Sequence, residues 1–277
     1  MSAKQAIVRG ASPWTGTFWG NQWLAIFWVL VAVVRGSVVG LDMWLPAAVI
    51  GAMFVLGQLL TYLAFQVGDV SVATPVFGIK VIIVATLQSL FAGEFISGRI
   101  WLAGIMATSG VVLIQWVDSA ATKLDRRKTV LSIVVAGLAA LTLSLFDVSL
   151  QAWAKEINTY DFMPVMFGFV GLFSLVLLPK VDSVRQLQTT GSFRWMLFAT
   201  ILMAMQAFSM CFSLAEFGDA ARINIVYALR GLWGVLLAWA LAKRLQTEEA
   251  HLPRIVMIRR LAGAGLLTGA VLIAFLL

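Results

Sequence analysis

The chain has 277 residues, 61% of them hydrophobic and only 12% charged, with a formal net charge of +7. A soluble domain is about half apolar and a quarter charged, so a soluble globular protein is excluded. Continuous rather than alternating apolar runs exclude a transmembrane β-barrel, and a mean hydropathy of +0.95 defines an all-α polytopic membrane protein.

Residues 1–13 carry Lys4, Arg9 and Pro13 and read as a solvated or interfacial lead-in, with no cleavable signal peptide. Apolar runs then predict spans over residues 19–34, 44–67, 70–92 and 100–117. The polar stretch 118–128, with Lys123, Arg126, Arg127 and Lys128, divides the chain into halves, 1–117 and 129–277. The second half predicts five spans, over residues 130–153, 163–178, 193–215, 220–242 and 261–277, for a total of nine.

The halves repeat one another. Gly68-Asp69 opens the run that carries Lys80, and Gly218-Asp219 opens the run that carries Arg230; the offset is 150 residues in both cases. Leu102-Ala103-Gly104 with Gly110 recurs as Leu261-Ala262-Gly263 with Gly269. Matched glycines and matched intramembrane cations are harder to obtain by chance than matched apolar residues. The span 130–153 has no partner ahead of Pro13. Either the chain is a nine-helix form or, as we expect, the first helix of the first repeat is missing upstream of Met1.

Fourteen Lys and Arg fall in the N-terminus and the loops around 123–128, 180–194 and 243–260; four fall in the alternate loops. Loop charge therefore puts the N-terminus in the cytoplasm. The same rule accounts for the basic balance, so nucleic acid is not an expected partner. The lone Cys211 excludes an intrachain disulfide, and with a single histidine, His251, no metal cluster or cofactor is expected. No nucleotide-binding loop or Ser/His/Asp arrangement occurs, so the chain is not expected to be an enzyme.

Lys80 and Arg230 each lie about eleven residues into their runs, about 16 Å at 1.5 Å of rise per residue. That depth is close to the bilayer midplane, where a cation facing lipid costs a few kcal/mol, so both must face protein or water. They read as a paired site for an anionic group, Arg230 making a bidentate contact and Lys80 acting as a point charge. The alternative is an internal ion pair with Asp147, the only carboxylate well inside a span. Asp147 could also accept a coupling proton. Gln58, Gln88, Gln206, Tyr62 and Tyr227 are polar or amphipathic residues that could line a pore. Gly68, Asp69, Gly218 and Asp219 read as helix turns and caps, and Pro75 as a first-turn or turn-loosening proline. The glycines of the 100–117 and 261–277 spans read as helix-packing positions, with a homodimer face as the weaker reading.

The run Gly68-Asp69-Val70-Ser71-Val72-Ala73-Thr74-Pro75-Val76, then Gly93-Glu94, then Leu102-Ala103-Gly104 and Gly110-Val111-Val112-Leu113, resembles the drug/metabolite transporter superfamily in its EamA-like branch. The resemblance implies a ten-helix inverted-repeat transporter working by alternating access, with cavity-lining helices at 44–92 and 194–242. It implies both termini in the cytoplasm, which disagrees with the loop charges. The expected function is a secondary transporter or exporter of a small metabolite in the cell (inner) membrane, binding an anionic group at the two cations. Two rival readings are a proton-coupled exporter of neutral or cationic compounds using Asp147, and a non-transporting or magnesium-conducting membrane protein. Hard cations want several carboxylates, and the spans offer one.

Overall fold

The computed structural model describes residues 2–36, 40–67, 73, 75–91, 95–115, 126–156, 158–233, 236 and 254–276. In chain order the helices are α1 (Ser2–Val8), α2 (Pro13–Arg35), α3 (Trp44–Val67), α4 (Lys80–Phe91), α5 (Gly98–Gln115), α6 (Arg126–Glu156), α7 (Thr159–Phe173), α8 (Val184–Thr189), α9 (Phe193–Phe217), α10 (Ala220–Ala228) and α11 (Arg254–Leu276). Short 3-10 turns precede α3 (Leu41–Met43) and α4 (Phe77–Ile79) and extend α7 (Ser174–Lys180). Seven of these elements are long and apolar enough to cross a bilayer, and Phe77–Phe91 is a shorter apolar helix. The all-α polytopic class read from composition is what the chain adopts.

Helix ends follow local chemistry. Ser12 caps α2 by accepting from the Trp14 amide at 3.2 Å, with Pro13 at the first helical position, where its missing N–H costs nothing. Asn158 caps α7 through the Tyr160 amide at 2.9 Å. Gly218 ends α9 in the left-handed conformation, φ 62°, returning its N–H to the Leu214 carbonyl; a side chain there would be strained. Asp219 follows at once as the cap of α10, accepting from the Arg222 amide at 3.1 Å. Gly68 and Asp69 lie outside the described residues. Most helices outrun the apolar stretches that announce them: α6 begins at Arg126 and α11 at Arg254. Hydropathy reports lipid contact, whereas a hydrogen-bonded helix continues past it into the polar boundary.

The chain forms two compact units, residues 1–55 with 149–218, and residues 56–148 with 219–277. In the first, α2 packs on α7. Asn21 donates to the Ser174 hydroxyl at 2.8 Å, Gln22 to the Gly171 carbonyl at 3.0 Å, and Trp28 stacks on Phe167. The partner number falls as the α2 number rises, so the pair is antiparallel. Of the two readings of the N-terminal residues, solvated or interfacial, their contacts suit a segment held against the bundle, with residues 7–10 exposed. Ala6 and Ala11 are buried with Leu187 and Met196, and Arg9 donates to the Gly191 carbonyl at 3.0 Å.

In the second unit α5 crosses α11 and α4 packs on α10. A Cβ on Gly110 would meet the Gly263 carbonyl at 2.8 Å, and one on Gly263 would meet the Gly110 carbonyl at 2.7 Å, so the backbones touch where both residues lack side chains. Ala103, Ala107, Leu267, Ala270 and Ala274 complete this seam. Gly269 faces Met106, which again makes the pair antiparallel. The α4–α10 pair is antiparallel as well, with Gln88 against Ala221 and Lys80 over Tyr227.

Candidate functional site

Three helices of the second unit bring the charged residues of the apolar runs together. Lys80 is the first residue of α4, Asp147 lies on α6 and Asn224 on α10. The Lys80 ammonium sits 2.7 Å from Asp147 Oδ2, with side-chain exposures of 16% and 3%. Asn224 Nδ2 donates to the same carboxylate oxygen at 2.8 Å and to the Ala220 carbonyl at 3.0 Å. One turn before Asp147, the Ser144 hydroxyl donates to the Ala140 carbonyl at 2.7 Å and approaches the Lys80 carbonyl at 3.5 Å. Two charges held this far from solvent are tolerated because each has a partner and the carboxylate has a second donor. Lys80 thus has the internal partner that was one of its two sequence readings.

Tyr227 lies three residues beyond Asn224, on the same helical face. Its ring centroid is 6.0 Å from Lys80 Nζ and 4.1 Å from the Arg230 guanidinium carbon. Arg230 Nη1 also donates to the Tyr227 hydroxyl. A cation over an aromatic face is attracted by the ring quadrupole, so one tyrosine is approached by both cations of the repeat. Lys80, Asp147 and Arg230 together carry a formal charge of +1, and Arg230 pairs with no carboxylate among the described residues.

Both cations stand immediately after a break in helical geometry. The 3-10 turn Phe77–Ile79 precedes Lys80, and α10 closes at Leu229, where the amide bonds back to Val226; residues 230–233 are helical again. The breaks therefore share the 150-residue offset that separates Lys80 from Arg230. Pro75 and Gly78 explain the first. Proline removes a donor from the helix, and Gly78 lets α5 approach so closely that a Cβ would meet Val111 Cγ1 at 3.1 Å. The Thr108 hydroxyl then satisfies the Gly78 carbonyl at 3.0 Å. Interrupted helices free backbone groups beside an intramembrane site.

The other sequence candidates are distributed unevenly. Tyr62 on α3 is half-buried and packs edge-on against Phe65, which packs against Phe77 of the first break; Gln58 lies one turn before it and is half-buried. Gln88 is buried two turns beyond Lys80, and its Oε1 accepts from the Ala221 amide at 3.1 Å. Gln206 is exposed on α9 and belongs to the first unit. Asp219 caps α10 and pairs with Arg222 at 2.8 Å. Sequence reasoning missed Asn224. Its signal was present, a polar residue in an apolar run one turn before Tyr227.

Residues 1–116 match the EamA-like transporter family. That family is part of the drug/metabolite transporter superfamily, so the resemblance is shown over this stretch. No curated protein matches the chain. Of the solved structures, one titled "Crystal structure of protein" aligns over 99% of this chain and 92% of its own, with 14% identity and a TM-score of 0.74. Similarity at that identity is a likeness of fold. The likeness to EamA-like transporters holds for residues 1–116, and the seven long apolar helices make the chain an integral, multi-pass membrane protein.

Proposed function

We propose that the protein is a secondary transporter that exports or exchanges a small metabolite carrying an anionic group, by alternating access, in the cell (inner) membrane. The observation that supports this reading is the cluster around Tyr227, whose ring is approached by two cations of which only Lys80 has a carboxylate partner among the described residues. Lys80 is matched by Asp147. Arg230 keeps a net positive charge and the planar fork that suits a carboxylate or phosphate. On this reading Arg230 contacts the substrate, while the Lys80–Asp147–Asn224 network fixes α4, α6 and α10 around it. Gln58, Tyr62 and Gln88 are supporting candidates near the same breaks, and Gln206 is a separate candidate in the other unit. The two sequence repeats, 1–117 and 129–277 about the 118–128 linker, are the units we propose to exchange roles between inward-open and outward-open states. Neither catalysis nor a cofactor is part of the mechanism.

A thermal-shift screen across phosphates, carboxylates, amino acids and amines would select a substrate, and proteoliposome counterflow would measure its exchange. Loss of a charge-assisted contact is worth about 1.5–3 kcal/mol, so Arg230→Gln should weaken an anionic substrate about 10- to 100-fold. Unchanged affinity and rate for every accepted anion would overturn the assignment. A second reading, proton-coupled export of neutral or cationic compounds, is favoured by the burial of Asp147. Asp147→Asn separates the two. It abolishes proton-driven movement if Asp147 carries the proton, and it leaves anion exchange in place, with Lys80 released, if Asp147 is a counter-ion.

A further inference from the structure

A second pair of cations lies away from Tyr227, at the opposite end of α10. Arg99 is the second residue of α5, Arg222 the third of α10, and Ile273 to Phe275 belong to the last turn of α11. These helix ends enclose a cavity of about 530 Å³ whose wall includes Ser97, Arg99, Arg222, Ile273 and Phe275. Arg222 is fixed in place: Nη1 bonds Asp219 Oδ2 at 2.8 Å and Nε bonds the Ala274 carbonyl at 3.0 Å. A guanidinium has five N–H donors, so three remain for another acceptor. Arg99 is exposed and makes no hydrogen bond or ion pair among the described residues. Asp219 offsets the Arg222 charge, so among the described residues Arg99 is the cation of this cavity without a carboxylate partner.

The surroundings of this charge are apolar and uncovered. Phe95 is 95% exposed, Leu276 74% and Phe275 57%. In a chain that crosses a bilayer, long apolar side chains beside arginines mark the hydrocarbon–headgroup boundary. In the first turn of α5 the Ile100 and Trp101 amides bond the Ser97 carbonyl at 3.0 and 3.3 Å, which leaves the amides of Gly98 and Arg99 as the first-turn donors without an intrahelical acceptor. We propose that this cavity binds a phosphate group, donated by the headgroup of an anionic lipid whose tails lie against Phe95, Phe275 and Leu276. A free phosphate anion offers the same oxygens and is the other source of this chemistry. Neither role depends on the substrate site at Tyr227.

The test uses the full chain purified in detergent. Binding of a short-chain phosphatidylglycerol is compared with that of phosphatidylcholine, and then repeated with inorganic phosphate as competitor. The wild type should hold one phosphatidylglycerol in preference to phosphatidylcholine. Arg99→Gln should weaken it about fivefold, the worth of one basic residue at an anionic surface, and Arg99→Lys should restore most of the loss. Arg99 is the residue to change first, because Arg222→Gln also unties α10 from α11. Displacement by inorganic phosphate at millimolar concentration keeps the phosphate site and assigns it to a free anion. Equal binding of phosphatidylglycerol by the wild type and Arg99→Gln, with no effect of phosphate, overturns the proposal.

Discussion

The two units solve the problem of packing in a bilayer differently. The first is filled by bulk. Trp28, Phe162, Met163, Met166 and Phe167 are fully buried there, with Trp28 stacked between Phe167 and Phe208 at centroid distances of 6.1 and 4.5 Å. The second is filled by proximity. Glycines and alanines let α5 touch α11, and an ion pair joins α4 to α6. Lipid tails are as apolar as leucine, so helices in a bilayer gain little from hydrophobic transfer and must gain from contact. Large rings supply that contact by volume, and small residues supply it by bringing backbones together. The second unit carries both cations of the apolar runs, Lys80 and Arg230, and both helix breaks.

The largest test of this contrast removes one side of the ion pair. Asp147→Ala leaves Lys80 buried without its counter-ion, and breaking a buried pair costs about 3–5 kcal/mol. Thermal unfolding of the purified chain in detergent should fall accordingly. Changing both partners to apolar residues of similar volume, Lys80→Met with Asp147→Leu, should recover most of the loss, because no charge is then stranded and Asn224 keeps its bond to Ala220. A double variant as unstable as the single one would show that the pair itself, rather than relief from an unpaired charge, holds this unit together.

The matching test in the first unit is smaller. Trp28→Ala opens a cavity, for which a core tryptophan typically costs about 3–5 kcal/mol; lipid solvates the side chain in the unfolded state, so the lower end, about 3 kcal/mol, is expected. Trp28→Phe should cost about 1 kcal/mol. Substrate affinity should hold at temperatures where both variants remain folded. A shift in affinity as large as that from Arg230→Gln would erase the distinction between a packing unit and a charged one.

Much of this division could be read from the chain. Runs of apolar residues declared the helices, since a buried backbone must bond to itself. The glycines of the 100–117 and 261–277 spans declared a packing seam, and Gly110 and Gly263 are where its backbones meet. Lys80, Asp147, Arg230 and Tyr227 were singled out as polar residues in apolar runs, and they lie together. The helix breaks were legible only at one of the two. Pro75 read as a first-turn or turn-loosening proline, and a 3-10 turn follows it, whereas Leu229 has no local property that ends a helix. Nor was the choice between substrate site and ion pair legible, because whether Lys80 meets Asp147 depends on how α4 is rotated against α6. The burial of Ala6 and Ala11 escaped notice too, since they are too small to mark an apolar face.

The smallest effect concerns how the second unit secures the start of α10. The Ala221 amide belongs to the first turn, where no intrahelical acceptor exists. Gln88 reaches across from α4 to take it, while Asp219 takes the next amide, that of Arg222. Gln88→Leu keeps the volume and removes the acceptor. Interhelical polar contacts in bilayers average about 0.6 kcal/mol, and a cap contributes about 1, so a loss near 1 kcal/mol is expected with Asp219 still in place. Removing Asp219 first takes away the second acceptor. Gln88→Leu should then cost more in the Asp219→Ala background than in the wild type, a coupling that a double-mutant cycle on thermal stability resolves. Strict additivity would mean that the two side chains do not share the capping of α10, and that the join of α4 to α10 rests on the Lys80–Asp147–Asn224 network alone.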